Sequence, residues 1–340
     1  MRDDFVLRKG SEFQAGGVSS INWSILSISR FILALIVASS HMRWIDATHI
    51  TSFIASFGAK TAVVGFFAIS GYSVTTSLDR NRKGFVWRRV IRLYPAYIAA
   101  MLFGAALQLE IGSRQVGDNL FRADGLGIYI CNMLMLQMYA CKAVSYVPTV
   151  WSLSIEFSFY ILIFLVGSRF SPILWLAAAI SAFHFLLPRG IIEAEWYDIL
   201  MKLNMVRYFW PFALGVLLAR RRDVLSSVVA FSGTILIFFD SNSPPFGVVT
   251  FFFSILAIEL ARRGVGVNRP TWNFLGDTSY PLYLIHPPII LICFELGWTD
   301  AMFALLLSIF ASVVVFWYIE RPVSKAMKKH GATFFRRYRE

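Results

Sequence analysis

The chain has 340 residues, of which 57% are hydrophobic, 16% aromatic and only 15% charged. Ordinary soluble domains are roughly a quarter charged, so this composition excludes a soluble globular protein. The formal charge of +12 comes from 32 Lys and Arg residues against 20 Asp and Glu, but the cations sit in short clusters between apolar runs, where they set membrane orientation, and nucleic acid is excluded as a partner.

Apolar runs near the roughly 20 residues that cross a bilayer recur along almost the whole chain. They predict an all-α polytopic membrane protein with ten transmembrane helices, near 23–43, 61–78, 94–111, 151–167, 171–187, 203–219, 224–239, 246–261, 280–297 and 301–319. The first run lacks a small-x-small cleavage site and holds Arg30, so it reads as a retained span rather than a signal peptide. The richest basic loop, Arg80 to Arg92, should be cytoplasmic, as should the clusters at Arg220–Arg222, at Arg262, Arg263 and Arg269, and beyond Arg321. Both termini are then inside, which requires an even number of crossings. A further apolar stretch at 127–139 would make the number odd, and is read as re-entrant or interfacial on the outer face. The organisation is a cytoplasmic N-terminal tail (1–21), a transmembrane domain (22–320) and a basic cytoplasmic tail (321–340). Cys131, Cys141 and Cys293 match no disulfide framework and no zinc spacing, and read as small apolar residues, with a Cys131–Cys141 disulfide left open. No metal site is expected.

The first helix carries Arg30 and His41, roughly 16 Å apart along the axis at 1.5 Å per residue. Burying Arg in lipid costs on the order of a few kcal/mol, so such a side chain faces a polar cavity or snorkels to the headgroups. The stretch FVWRRVIRLYPAY places Arg88, Arg89 and Arg92 in the loop before Pro95, with the proline in the first turn of the third helix. Three guanidiniums at a membrane mouth suit bidentate contacts to phosphates, although any cytoplasmic loop is basic. In VPTVWSLSIEFSFYIL, Trp151 sits at the outer interface and Glu156 lies a turn and a half deeper. Its depth resembles that of His41, so the two are expected to form a proton-transfer pair. Arg207 in VRYFWPFALG, and Tyr283 and His286 in LGDTSYPLYLIHPP, are less specific.

Taken in order, RFILALIVASSH, GFFAISGYSVTTSL, RRVIRLYPAY, WSLSIEF and LGDTSYPLYLIHPP resemble the multi-pass membrane acyltransferase family 3, from about residue 20 to Glu320-Arg321-Pro322. The resemblance implies a bacterial-type inner-membrane O-acyltransferase that acylates a carbohydrate or lipid-linked carbohydrate, with acyl-CoA, commonly acetyl-CoA, as co-substrate and no permanently bound cofactor. The family's Arg-x10-His motif falls on Arg30 and His41, its basic motif on Arg89 and Arg92, and its Trp-Ser-Leu…Glu motif on Trp151, Ser152, Leu153 and Glu156. The expectation is that His41 and Glu156 are catalytic and that Arg30, Arg88, Arg89 and Arg92 bind acyl-CoA. Ser70, Trp151, Ser152, Arg207, Tyr283 and His286 are expected to line the channel or the acceptor site. Some family members carry an extracytoplasmic hydrolase-like domain, so this chain is expected to act alone or hand over to an extracytoplasmic partner protein. Direct transfer is favoured over an acyl-histidine intermediate. The rival class is a transporter or flippase, since buried ionisable residues also mark transport pathways. No paired halves with broken helices support it.

Overall fold

The computed structural model describes residues 21–167, 172–187, 203–221, 223–240, 243–266 and 268–337, with side chains described as far as Lys329. Residues 1–20 of the expected N-terminal tail and the expected outer loop near 188–200 fall outside these ranges. Five helical stretches, Trp23–Trp44, Ala59–Arg80, Phe85–Ile111, Pro148–Val166 and Ala301–Lys329, are long and apolar enough to cross a membrane. Shorter apolar helices lie at Pro172–Leu186, Phe209–Arg220 and Val224–Phe239. The chain is thus an all-α membrane protein, with a single two-stranded hairpin among the described residues.

Helix α1 (Trp23–His41) begins at Asn22, whose side chain accepts the Ser24 N–H at 3.1 Å. The same residue donates through its backbone to Ala261 at 2.9 Å and through Nδ2 to Val265 at 3.1 Å. Capping therefore does two jobs here: it satisfies an orphan donor and pins the entry of α1 to a distant part of the chain. A short helix α2 (His49–Ala55), closed by the Thr48/Thr51 capping box, follows in the loop. Helix α3 (Ala59–Arg80) is the central element, with most of its residues buried. Against it packs α8 (Phe209–Arg220), which follows α4 (Phe85–Ile111), α5 (Leu126–Met133), α6 (Trp151–Val166) and α7 (Pro172–Leu186).

The α3–α8 contact is made by glycines. A Cβ on Gly71 would lie 2.1 Å from the Phe212 carbonyl oxygen, and one on Gly215 would lie 2.0 Å from that of Ala68. In a membrane, where apolar burial between helices has no water to escape, such close backbone approach is the main source of packing energy. Because the obstructing atoms are backbone, no rotamer change relieves the clash. Gly71→Val should therefore destabilise the protein by about 1–3 kcal/mol. The check is the melting temperature of the detergent-solubilised protein by fluorescence-detected size exclusion; an unchanged value would refute the close-packing account.

Several boundaries differ from those expected. Helix α4 begins at Phe85 rather than near 94, so Arg88, Arg89 and Arg92 are helical and Pro95 lies inside the helix. A basic run favours helix once a neighbouring bundle supports it, and hydropathy alone does not report this. The run expected at 203–219 is divided at Tyr208 into a turn at Asn204–Arg207 and α8. After α9 (Val224–Phe239) and α10 (Gly247–Arg262), helix α11 starts at Pro270, ten residues early, with Pro281, Pro287 and Pro288 inside it, and runs to Glu295. Helix α12 (Ala301–Val315) continues through a π-helical turn at Phe316–Glu320 into α13 (Arg321–Arg337), so the expected basic tail is helical over that range.

Between α4 and α6 the chain forms a cap on the end where α1 finishes. The hairpin of β1 (Arg114–Val116) and β2 (Asn119–Phe121) leads to α5, whose eight residues span about 12 Å, too short to cross a bilayer. A disulfide joins Cys131 to Cys141 with Cα atoms 6.5 Å apart. This corrects the reading of these cysteines as plain apolar residues, which holds for the buried, free Cys293. Chain reversal after α5 brings the two together, and a ten-residue separation carries no signature of it. Gln137, fully buried, donates to Tyr97 Oη at 3.1 Å and to the Val150 carbonyl at 2.8 Å, tying the cap to the start of α6.

Candidate functional site

A cavity lies among α1, α3, α4, α6 and α11. Its walls follow from helical spacing. Ser70 and Ser73 lie three residues apart on α3, with Ser77 a turn further on beyond the cavity wall, and Ser152, Glu156 and Tyr160 recur at four-residue intervals on α6, so each set presents one polar stripe on an otherwise apolar helix. At one end, Arg30 Nη2 donates to Ser73 Oγ at 2.6 Å, and Arg89 Nη2 donates to Ser77 Oγ at 2.9 Å. Arg92 completes this end and is exposed, which leaves it open. No carboxylate forms an ion pair with Arg30, Arg89 or Arg92 among the described residues. Three cations with donors to spare are what an incoming polyanion needs.

Halfway along, Glu156 Oε1 accepts from Ser70 Oγ at 2.6 Å and from Tyr160 Oη at 2.5 Å. Two hydroxyl donors to one oxygen stabilise the carboxylate and leave Oε2 for another donor. The far end is closed by Ser152 Oγ and Tyr283 Oη, 2.7 Å apart, with the Phe66 ring edge-on to Tyr283 at 5.8 Å.

His41 does not meet Glu156 and is not a wall of the cavity. Its Nδ1 lies 2.7 Å from Nε2 of His286, and the two rings stack at 5.0 Å. Trp44 stacks on His41 at 4.6 Å and is itself met edge-on by Phe121 of the cap. The pairing determines tautomers. His286 Nδ1 is 2.9 Å from the Leu282 carbonyl oxygen, which can only accept, so Nδ1 carries the hydrogen. In neutral His286, Nε2 is then bare and accepts from the Nδ1–H of His41. This leaves the Nε2 lone pair of neutral His41 unused, and no hydrogen-bond partner meets that atom among the described residues.

Three other expected site residues stand away from the cavity. Arg88 donates to the Lys83 carbonyl at 2.6 Å and to that of Asn81, closing the turn between α3 and α4. Arg207, only 1% exposed, donates to the Phe185 carbonyl at 2.8 Å and to those of His184 and Leu187 at 3.4 Å. It thus caps the carboxyl end of α7, where a cation is favoured by the unsatisfied carbonyls. Trp151 packs against Tyr208 at 5.4 Å, while its neighbour Ser152 faces the cavity. Tyr160, Ser73 and Ser77 belong to no charged pattern in the sequence, although the four-residue step from Ser152 and Glu156 points to Tyr160. Among the described residues no three His, Cys, Asp or Glu side chains gather as a metal site would require.

A family model described as an acyltransferase domain matches residues 24–321, nearly the whole chain. Comparison with curated proteins and with solved structures finds no match.

Proposed function

The chain belongs to acyltransferase family 3, and from that premise we propose that it moves an acyl group, in the first instance acetyl, from cytoplasmic acyl-CoA to a hydroxyl of a carbohydrate or lipid-linked carbohydrate at the outer face of a cell membrane. In this reading the chain crosses an inner membrane ten times and keeps both termini cytoplasmic. The Cys131–Cys141 disulfide supports placing the cap outside, since disulfides persist in oxidising compartments. The single observation that carries the reading is the order of groups along one path. Three guanidiniums free of ion pairs stand at the open end, a hydrogen-bonded carboxylate lies midway, and a histidine with an unused lone pair lies past the closed end.

The donor's diphosphate is held by Arg89 and Arg92, with Arg30 deeper in the cavity. Glu156 takes a role different from the expected pairing with His41: its Oε2 accepts an amide N–H of the pantetheine arm. The thioester passes the Ser152–Tyr283 contact to reach His41, so that contact opens when the donor is seated. His41 Nε2 takes the proton of the acceptor hydroxyl as its oxygen attacks the thioester carbonyl. Collapse of the tetrahedral adduct breaks the C–S bond, and the CoA thiolate leaves with the proton returned from His41. Direct transfer needs no acyl-enzyme.

The decisive experiment supplies [14C]acetyl-CoA to the cytoplasmic side of purified inside-out membrane vesicles containing the protein. Label covalently attached to a glycan or glycolipid through a base-labile ester is the expected outcome. Uptake of substrate without covalent label would support the transporter reading instead.

A further inference from the structure

We propose that the C-terminal helix α13 is part of the donor site, and that Arg321 and Lys328 bind the phosphorylated nucleoside end of the CoA carrier. This rests on the acyl-CoA reading above and extends it to a segment that the sequence treats only as a basic tail.

The geometry begins at the π-helical turn Phe316–Glu320, which delivers the chain from the last apolar helix into α13. Single π turns inside α-helices are frequent at functional sites because they re-aim the following side chains. Here the turn packs on both α4 and α11, and α13 itself packs on α4. Ser324 Oγ donates to the Ile91 carbonyl at 3.0 Å, one residue from Arg92. That bond fixes the face of α13 turned toward α4 beside Arg92. Arg321 and Lys328 lie three residues before and four residues after Ser324, so all three share one face, with the two cations roughly 10 Å apart along the axis. The Arg321 guanidinium is steadied over the Trp317 ring at 4.2 Å, and both cations are exposed.

What they surround is the second observation. Asp277 of α11 lies within electrostatic reach of Arg30, Arg92, Arg321 and Lys328 together. The cations of α13 thus share an acidic neighbour, Asp277, with Arg30 and Arg92 of the cavity, and Glu320 lies near Arg92 and Asp277 as well. A surplus of cations gathered around a cavity mouth matches a ligand whose several phosphates are clustered at one end of a long neutral arm. Anionic lipid headgroups would be served by cations spread along the helix face turned to the bilayer, and would gain nothing from convergence on Asp277.

The test compares two donors on the same protein in neutral phosphatidylcholine vesicles: acetyl-CoA, and acetyl-pantetheine, which has the thioester arm and no phosphate. Lys328→Glu and Arg321→Ala should each raise KM for acetyl-CoA by about tenfold or more while leaving kcat within about twofold, as loss of a charge-assisted contact made equally in ground and transition states requires. KM for acetyl-pantetheine should be unchanged. An equal penalty on both donors would mean that α13 acts only on the fold and would overturn the proposal. So would a penalty confined to vesicles containing anionic phosphatidylglycerol, which would mark a lipid site. Failure of the wild-type protein to transfer from either donor would instead remove the acyl-CoA reading itself, and is therefore told apart from failure of the helix assignment.

Discussion

His41→Ala is expected to lower kcat for acyl transfer by about 10²–10⁴-fold, the usual worth of a positioned general base, while KM for acyl-CoA stays near the wild-type value. The two halves of this expectation come from different parts of the structure. The cavity proposed to receive the donor is walled by Arg30, Arg89, Arg92, Glu156 and their neighbours and does not include His41, so donor binding should survive. The chemistry should not, because no other imidazole on the path has a free nitrogen: both nitrogens of His286 are occupied, by Leu282 and by His41. Folding is a fair control, since His41 is partly exposed and ends its helix. The measurement is single-turnover transfer of labelled acetyl by purified protein, with equal amounts of monodisperse variant and wild type. Near-normal turnover of His41→Ala would end the assignment of His41 as the base.

The split between what the sequence disclosed and what it hid follows the reach of local patterning. Apolar runs and basic clusters identify membrane helices, because lipid solvation acts on each segment separately. Arg30, Glu156 and His41 stand out for the same reason: a polar group in lipid is costly wherever it lies. Partners are a different matter. His41 and His286 are 245 positions apart and meet only because α1 and α11 pack along their lengths, and equal depth on two helices made Glu156 look like the partner of His41. Arg88, Arg89 and Arg92 look alike in a row of basic residues, yet a helical step of 100° per residue turns Arg88 back to the α3–α4 turn and aims the other two at the cavity. Arg207 shows the same limit, since its intramembrane position signals cost without saying whether a ligand or a helix end meets it.

His286 provides the second large effect, and it can be separated from that of His41. If the Leu282–His286–His41 chain holds His41 in the tautomer with a bare Nε2, then His286→Leu removes the acceptor for Nδ1–H and frees the ring to adopt the other tautomer or turn away. By comparison with partners that orient metal-bound imidazoles, the cost should be about 10- to 100-fold in kcat, with KM for acyl-CoA unchanged. Gln at the same position can offer an amide oxygen to His41 Nδ1–H and an amide hydrogen to the Leu282 carbonyl, so His286→Gln should recover most of the loss although it cannot titrate. Because the two histidines act as one unit, His41→Ala combined with His286→Leu should be little slower than His41→Ala alone. Steady-state kinetics on the four variants decide the matter. Full kcat in His286→Leu would show that His41 is oriented without its neighbour. A Gln variant as slow as the Leu variant would mean that the second imidazole must itself accept and release a proton, so that the pair relays charge rather than fixing a tautomer.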